Sequence, residues 1–134
     1  MTPADFEKVV LNRCEKIQSV MASKNKEYAK PDNKFHNFEK SGRKQAKTRE
    51  DALMGMASKH DVSIDDIVEG IRDGKLPTVG LLQEKIGDMC NYLIILEAMV
   101  IDRIENGYTD IYTKPYRDKE REKIIEAFAN NPES

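Results

Sequence analysis

Apolar residues recur at helical spacing in four stretches of the chain, separated by polar and charged residues. The first stretch predicts a helix that begins at Thr2, with a proline at its first helical position, and ends near Lys24. The second predicts a helix from near Thr48, where Thr48 and Asp51 resemble a capping box, to about Arg72. The apolar stripe of the first helix comprises Phe6, Val10, Ile17, Val20 and Met21.

Two further helices follow a break that is rich in glycine and proline. One is predicted from about Thr78 to Glu105, and Gly107 is suited to a left-handed C-cap behind it. The last, more charged helix is predicted from about Tyr116 to Ala129. We expect three of its apolar residues to pack against the rest of the protein: Ile124, Ile125 and Phe128.

The apolar stripes of the second and third helices alternate steps of four and three residues, which is typical of helices packed nearly antiparallel. We therefore expect an all-α bundle built on this long hairpin, with an ordered loop between the first two helices. The expected stripes are Leu53, Ala57, His60, Ile64, Ile67 and Ile71 on the second helix, and Leu82, Ile86, Met89, Leu93, Leu96 and Val100 on the third.

The third helix also carries apolar residues on its opposite face, namely Leu81, Tyr92, Ile95 and Met99. A helix that is apolar on two sides must be covered on both, by its own bundle or by a partner subunit. This predicts a homo-oligomer, either a dimer or a tetramer.

Length and charge narrow the class of protein. A chain of 134 residues is expected to form one domain, and a net charge of −2 argues against general nucleic-acid binding, which needs a basic excess. No stretch has the length and apolar character of a signal peptide or a membrane span, so we expect no membrane partner. Cys14 and Cys90 follow no metal or redox spacing, which predicts reduced core residues and a cytoplasmic location.

Acidic residues at helical spacing are the candidate chemistry. Glu84 and Asp88 lie one turn apart on the third helix, together with Asn91, and Asp65 and Glu69 have the same spacing on the second. If the hairpin turns near the intervening proline, Asp65 is level with Asp88 and Glu69 with Glu84. Four such carboxylates would form an all-oxygen site for Mg²⁺ or Mn²⁺. The alternative interpretation is solvent-facing helix charges.

The segment between the first two helices is basic and carries several aromatic residues. Tyr28 or Phe38 is suited to stack on a base and Asn37 to hydrogen-bond its edge, or the aromatics fix the loop to the bundle. The short basic run here is interpreted as a solvated loop, with contact to phosphates as the alternative. It comprises Arg43, Lys44, Lys47 and Arg49.

Three stretches of the chain resemble a known family: KNKEYAKPDNKFHNFEKSG, EDALMGMASKHDVSIDDIVEG and EKIGDMCNYLIILEAMVIDR. They resemble small bacteriophage proteins with nucleotide-modification-associated domains, which are similar to the MazG-like all-α nucleotide pyrophosphatases. The resemblance covers a core of about residues 5–105 and leaves residues 106–134 as a C-terminal extension. It implies an E-x-x-E and an E-x-x-D motif on a helical hairpin, which hold Mg²⁺ while water cleaves between the α and β phosphates.

The resemblance assigns roles residue by residue. Asp88 matches the aspartate of the family's second motif and is implied as a metal ligand. Lys85 stands where that motif has a glutamate, while Glu84 lies one residue earlier. A lysine at this position would bind phosphate directly, which favours a nucleotide binder over a hydrolase; the alternative is that Lys85 is a surface residue.

The first motif is matched by Asp66 and Glu69, or by Asp65 and Glu69, the pair that we prefer. The Lys59-His60 pair also matches the resembling sequences. His60, in the centre of an apolar stripe, is either a hydrogen-bonded core residue or part of the nucleotide site.

Three functions follow from these observations. The first is a Mg²⁺-dependent nucleoside triphosphate pyrophosphatase, acting in the host cytoplasm if a phage encodes it. The second is a non-catalytic protein that sequesters a nucleotide or nucleotide signal, and the third is a helical module that binds or inhibits another protein. The predicted metal ligands are Asp65, Glu69, Glu84 and Asp88. The predicted nucleotide-binding residues are Tyr28, Asn37, Phe38, Lys59, His60, Lys85 and Asn91.

Overall fold

The computed structural model describes residues 1–28 and 33–130, and the side chains of residues 1–23, 33–114 and 122–130. Within this part, the chain forms five α-helices joined by short connections. They are α1 (Pro3–Tyr28), α2 (His36–Gln45), α3 (Arg49–Arg72), α4 (Val79–Asn106) and α5 (Lys114–Asn130). The predicted all-α bundle is confirmed, with α3 and α4 packed closely as its central hairpin.

Local capping determines the ends of the hairpin helices. The Thr48 hydroxyl accepts a hydrogen bond from the Asp51 backbone N–H at 3.1 Å, and the Thr78 hydroxyl accepts one from Leu81 at the same distance. Each bond satisfies one of the free amides at a helix start. Gly107 follows α4 in the left-handed conformation, with φ 71°. The predicted ends of both helices are therefore confirmed to within a residue or so.

The segment predicted as a loop contains α2, so this expectation was wrong. α2 is short and polar, but its Phe38 is 5 % exposed and packs in the core. Gly42, also buried, allows the chain to fold back, because a Cβ there would lie 2.7 Å from the Lys47 carbonyl oxygen. Tertiary contacts from one aromatic residue stabilise this helix, and a search for apolar periodicity does not detect them.

The core lies where α2 packs against the hairpin. Leu53 and Met99 are fully buried, beside Ala52 and Ala57 of α3, and Phe38 completes the cluster. The half-buried residues packed around it are Phe35, Met56, Tyr92, Ile95 and Leu96. Among the described side chains five apolar residues are buried, which is a small core for a chain of this length.

α4 packs mainly with the apolar face that was not expected to point inward: Met99 and Asn91 are buried, and Tyr92 and Ile95 pack on the core. Of the predicted inward stripe, one residue packs on the core, two are half-buried and three are exposed, namely Leu96, then Ile86 and Met89, then Leu82, Leu93 and Val100. The stripe of α3 is confirmed at its start, where Leu53 and Ala57 are buried, and Ile71 near its end is exposed. Both faces of α4 are apolar, and periodicity alone does not show which of them meets α3.

Other expected core residues also lie at the surface. Ile124, Ile125 and Phe128 of α5 are each more than half exposed, so their predicted packing is not made within one chain. Cys14 is exposed and Cys90 half-buried, both as free thiols, so the expectation of a core position was wrong for Cys14. None of the helices in the described residues has the length and apolar character needed to cross a bilayer.

Arg49 connects α2, α3 and α4 at the end of the hairpin away from its turn. Its side chain is 1 % exposed, which corrects its interpretation as part of a solvated basic run. The Tyr108 ring covers the guanidinium, whose carbon lies 3.5 Å from the ring centroid. The guanidinium donates hydrogen bonds to Met99 O (2.9 Å), Asp102 (3.0 Å), Glu39 (3.2 Å) and Glu50 (3.2 Å).

This network lowers the pKa of two carboxylates that take part in it. Burial would raise the pKa of Glu50, but hydrogen bonds and charge from Arg103 and Arg49 outweigh it and hold the pKa below its ordinary value. Hydrogen bonds from Asn106 and Arg49 likewise lower the pKa of Asp102. These carboxylates therefore stay ionised in the folded protein at a pH where free carboxylates take up protons.

Candidate functional site

A cavity of about 310 Å³ lies between α1 and α4 and is called here the α1–α4 cavity. It brings together residues of both charge signs with a few apolar side chains. Its lining comprises Arg13, Lys16, Ile17, Val20, Gly80, Gln83, Glu84, Gly87, Asp88 and Asn91. Three of the predicted site residues, Glu84, Asp88 and Asn91, are thus gathered in one place.

Two cations of α1 reach into this cavity. Arg13 donates a hydrogen bond to the backbone carbonyl of Gln83 at 3.1 Å, and the Lys16 ammonium donates to the Gln83 side-chain oxygen at 2.6 Å. Neither forms an ion pair with a carboxylate of the described residues. Gly87 makes room for the arginine, because a Cβ at this position would lie 2.6 Å from Arg13 Nη1.

The carboxylates of the cavity come from α4. Glu84 is exposed, while Asp88 is half-buried and lies with its Oδ2 3.4 Å from His60 Nδ1. The His60 ring stacks at a tilt on Tyr92, with 5.3 Å between centroids, and its side chain is 13 % exposed. His60 therefore contacts Asp88 from α3.

Asn91 is the most unusual residue of the cavity. It is 5 % exposed, and its side-chain oxygen has no hydrogen-bond partner among the described residues. A buried carbonyl oxygen left unpaired costs about 1–3 kcal/mol relative to a paired one. This atom would be satisfied by a hydrogen-bond donor or a cation in the cavity.

The four predicted carboxylates are not gathered within one chain. Asp88 lies opposite His60 instead of Asp65, which is about 7.5 Å further along α3. Asp65 and Glu69 are both exposed. No three Asp, Glu, His or Cys side chains of the described residues are grouped closely enough to hold a metal ion. The contacts of His60 with Tyr92 and of Glu50 with Arg103 fit the register expected for the hairpin, but Asp65 and Glu69 lie on an exposed face of α3 and do not line the cavity that Glu84 and Asp88 line.

Lys85 and Asp66 line a second cavity, of about 390 Å³, at the turn of the hairpin. Lys85 is half-buried, and Lys75 lines the same cavity. Lys85 does not line the α1–α4 cavity. Lys59 is exposed on α3. The lysine in the motif position thus lines a different cavity from Glu84 and Asp88.

The predicted base-stacking residues have different surroundings. Phe38 is buried in the core, so the interpretation that it fixes the segment to the bundle is confirmed and its role in stacking on a base was wrong. Asn37 is exposed on α2. The side chain of Tyr28 lies outside the described residues.

Arg13, Lys16 and Gln83 were not identified from the sequence. The signal that could have found Arg13 is its position on the apolar stripe of α1, between Val10 and Ile17, where a charge needs a partner.

Comparison of the chain with models of known families, with curated proteins and with solved structures finds no match.

Proposed function

We propose that the protein binds a nucleotide with two or more phosphates as its Mg²⁺ complex in the α1–α4 cavity. The observation that carries this proposal is the set of polar groups that line one cavity: two cations without a carboxylate partner among the described residues, two carboxylates, and a buried amide oxygen without a hydrogen-bond partner among them. A ligand that matches them must bear both negative groups and a positive one. A metal–polyphosphate complex has this character.

The phosphates would lie against Arg13 and Lys16. An arginine fork suits two phosphate oxygens and a lysine supplies a compact charge, and both are held here by neutral oxygens of Gln83. Replacing these neutral partners with phosphate costs less free energy than replacing carboxylate partners would, since no ion pair is broken.

Glu84 and Asp88 would hold the metal, with the amide oxygen of Asn91 as a further ligand. Mg²⁺ in proteins commonly takes one or two carboxylates and completes its shell with water and substrate phosphates, so this donor set fits it. The metal would neutralise phosphate charge beside the two carboxylates. His60, in contact with Asp88, would hold that carboxylate in place.

Binding without turnover is the form of the proposal that the residues support best. Two carboxylates line the cavity, fewer than the four that the resemblance to MazG-like pyrophosphatases implies. Pyrophosphatase activity is the second candidate, supported by the match of Asp88 to the family's second motif.

Thermal melting with Mg²⁺ and a panel of nucleoside di- and triphosphates tests the binding proposal. A ligand of the native state raises the melting temperature, and at one hundred times its Kd it adds about 2.7 kcal/mol to the unfolding free energy. We expect Asp88→Asn and Arg13→Met to remove most of the shift. Asp66→Asn and Lys85→Met, in the cavity at the turn, are matched controls that should keep it. Failure of every nucleotide to shift the wild-type protein would refute the proposal.

Product analysis separates the two candidates. Diphosphate release from a triphosphate that is lost in Asp88→Ala would establish the pyrophosphatase. An unchanged nucleotide recovered by heating the complex, and identified by mass spectrometry, would establish the binder.

A further inference from the structure

The surface of α2 that faces away from the core is basic. Three exposed basic residues lie on it, the first of them three and four residues before the other two, which puts all three on one face of the helix. The opposite face carries Phe38 and Gly42, both buried. A fourth basic residue follows the helix, where its backbone N–H donates a hydrogen bond of 3.0 Å to the Gly42 carbonyl oxygen and the chain turns back. We call this surface the α2 basic patch, and it comprises Lys40, Arg43, Lys44 and Lys47.

The positive charge of this patch is not neutralised by neighbouring acids. None of its four residues forms an ion pair with a carboxylate of the described residues. Glu39 is the acidic residue of α2, and its carboxylate accepts hydrogen bonds from Arg49 and Asn33. Residues 34–47 contain five basic residues and one acidic residue, a net charge of +4, so the other 120 residues of the chain carry −6. The small net charge of the whole chain thus conceals a concentrated basic surface.

A cavity of about 260 Å³ adjoins the patch, between the end of α2 and the segment that follows α4. Arg43 and Lys47 line it on the side of α2, and Tyr108 and Tyr112 line it on the side of the segment after α4. Tyr112 is half-buried. The cavity therefore brings two cations of the patch next to aromatic rings.

The two carboxylates of this cavity belong to the network around Arg49. Glu39 Oε1 lies 3.2 Å from Arg49 Nη1, and Asp110 Oδ2 lies 2.6 Å from Arg103 Nη2. Because each carboxylate already has a guanidinium partner, neither neutralises the α2 basic patch. A ligand that matches the patch must therefore be anionic.

We propose that the α2 basic patch and this cavity bind single-stranded nucleic acid. Its phosphates would lie along the patch, where the cations replace bound counterions, and a base would enter the cavity beside Tyr112. Aromatic side chains next to a positively charged groove are the features with which proteins bind single strands. A duplex matches the cavity less well, because its bases are already paired and stacked. A polypeptide rich in Asp and Glu would meet the cations but has no planar group for the tyrosine rings.

The proposed contact is separate from the α1–α4 cavity, since the two cavities share no lining residue. It is also compatible with the net charge of −2. Four cations support a weak and salt-sensitive contact, whereas general nucleic-acid binding needs a basic excess over the whole domain. Arg13→Met is therefore expected to bind the single strand as the wild type does.

Fluorescence anisotropy with labelled oligo(dT) and oligo(U) of about 12 nucleotides tests the proposal. For single strands, the logarithm of the binding constant falls against the logarithm of the salt concentration with a slope of about −0.7 per neutralised phosphate, so four cations predict about −2.8. The affinity should then fall about 50-fold between about 50 and 200 mM salt. Saturable binding of either oligonucleotide with this slope supports the proposal, and its absence at ~50 mM salt would overturn it.

Matched double variants separate the patch from general charge. Arg43→Gln/Lys44→Gln removes two charges from the patch, and Lys8→Gln/Lys75→Gln removes two from exposed lysines elsewhere. We expect the first variant to keep its helical circular dichroism, to bind at least about tenfold more weakly at ~50 mM salt and to reduce the slope to about −1.4. The second variant should keep the wild-type slope. Equal losses in the two variants would contradict the assignment of the patch.

Substitutions of Tyr112 test the cavity. Tyr112→Leu removes an aromatic ring but no phosphate contact, so binding should weaken about 5- to 100-fold with an unchanged slope. Tyr112→Phe keeps the ring and should bind as the wild type does. Equal affinity of the Leu and Phe variants would refute the role of the cavity. Displacement of the oligonucleotide by poly-glutamate at equal charge concentration would identify an acidic polypeptide as the ligand instead and would exclude the nucleic-acid proposal.

Discussion

Gly87→Ala is a small substitution that distinguishes the role of Arg13 in binding from its role in folding. The new methyl carbon would lie 2.6 Å from Arg13 Nη1, well inside van der Waals contact. The clashing atom is the end of a flexible side chain, so the guanidinium swings away and α4 stays in place. The hydrogen bond from Arg13 to the Gln83 carbonyl is lost with it.

The cost to stability is small because two effects oppose each other. Alanine in place of glycine inside a helix stabilises by about 0.5–1 kcal/mol. Loss of one half-exposed hydrogen bond costs about 0.5–1.5 kcal/mol. We expect the unfolding free energy of Gly87→Ala in urea to stay within about 1 kcal/mol of wild type. Gly80→Ala is the matched control, since it lines the same cavity and its methyl would meet nothing within 4 Å.

Ligand affinity should respond more strongly. A charge-assisted hydrogen bond to phosphate contributes about 1.5–3 kcal/mol, so displacing Arg13 should weaken nucleotide binding about 10- to 100-fold. Isothermal titration calorimetry with the best nucleotide from the melting panel measures this, and Gly80→Ala should bind as wild type does. Equal affinity of Gly87→Ala and Gly80→Ala would refute the role of Arg13. A stability loss above about 2 kcal/mol in Gly87→Ala would show that the Arg13 contact is structural.

Two further predictions concern the network at the other end of the hairpin. Arg49→Met removes the cation that three carboxylates and a carbonyl share. It should lower the unfolding free energy, measured by urea titration, by about 3–5 kcal/mol. A loss below ~1 kcal/mol would contradict the structural role of Arg49. The folded-state pKa of Glu50 is lowered from 4.5, so its stabilisation is full above pH 4.5 and is lost as the pH falls through the folded value. The melting temperature should therefore fall between pH 6 and pH 3, and the fall should be shallower in Glu50→Gln; parallel curves for the two proteins would exclude this linkage.

The helices were predictable because their signals are local. A threonine before a charged first turn marks the start of α3 at Thr48, and Thr78 is the N-cap of α4, whose first turn is uncharged. Gly107 ends α4 because it adopts a left-handed conformation that other residues avoid. α2 was missed because Phe38 supplies its stabilisation from outside the segment.

Part of the candidate site was also predictable. Glu84, Asp88 and Asn91 were grouped by helical spacing, and the structure places all three along one cavity. The absence of Asp65 and Glu69 from the cavity was not predictable in this way, because helical spacing alone does not show that they lie on an exposed face of α3. Nor was the contribution of α1, since Arg13 meets α4 across 70 positions of sequence.

The sequence by itself determined which segments are helical and which side chains share a helix face, since both depend on periodicity and capping within a few residues. Only the tertiary structure decided which of the two apolar faces of α4 meets α3, which residues of α1 reach the cavity and that Arg49 is buried. These depend on the register and rotation of whole helices, where many small packing contributions compete. The grouping of Glu84 and Asp88 on α4 thus followed from local sequence, whereas the position of Arg13 and Lys16 in the same cavity followed from the fold.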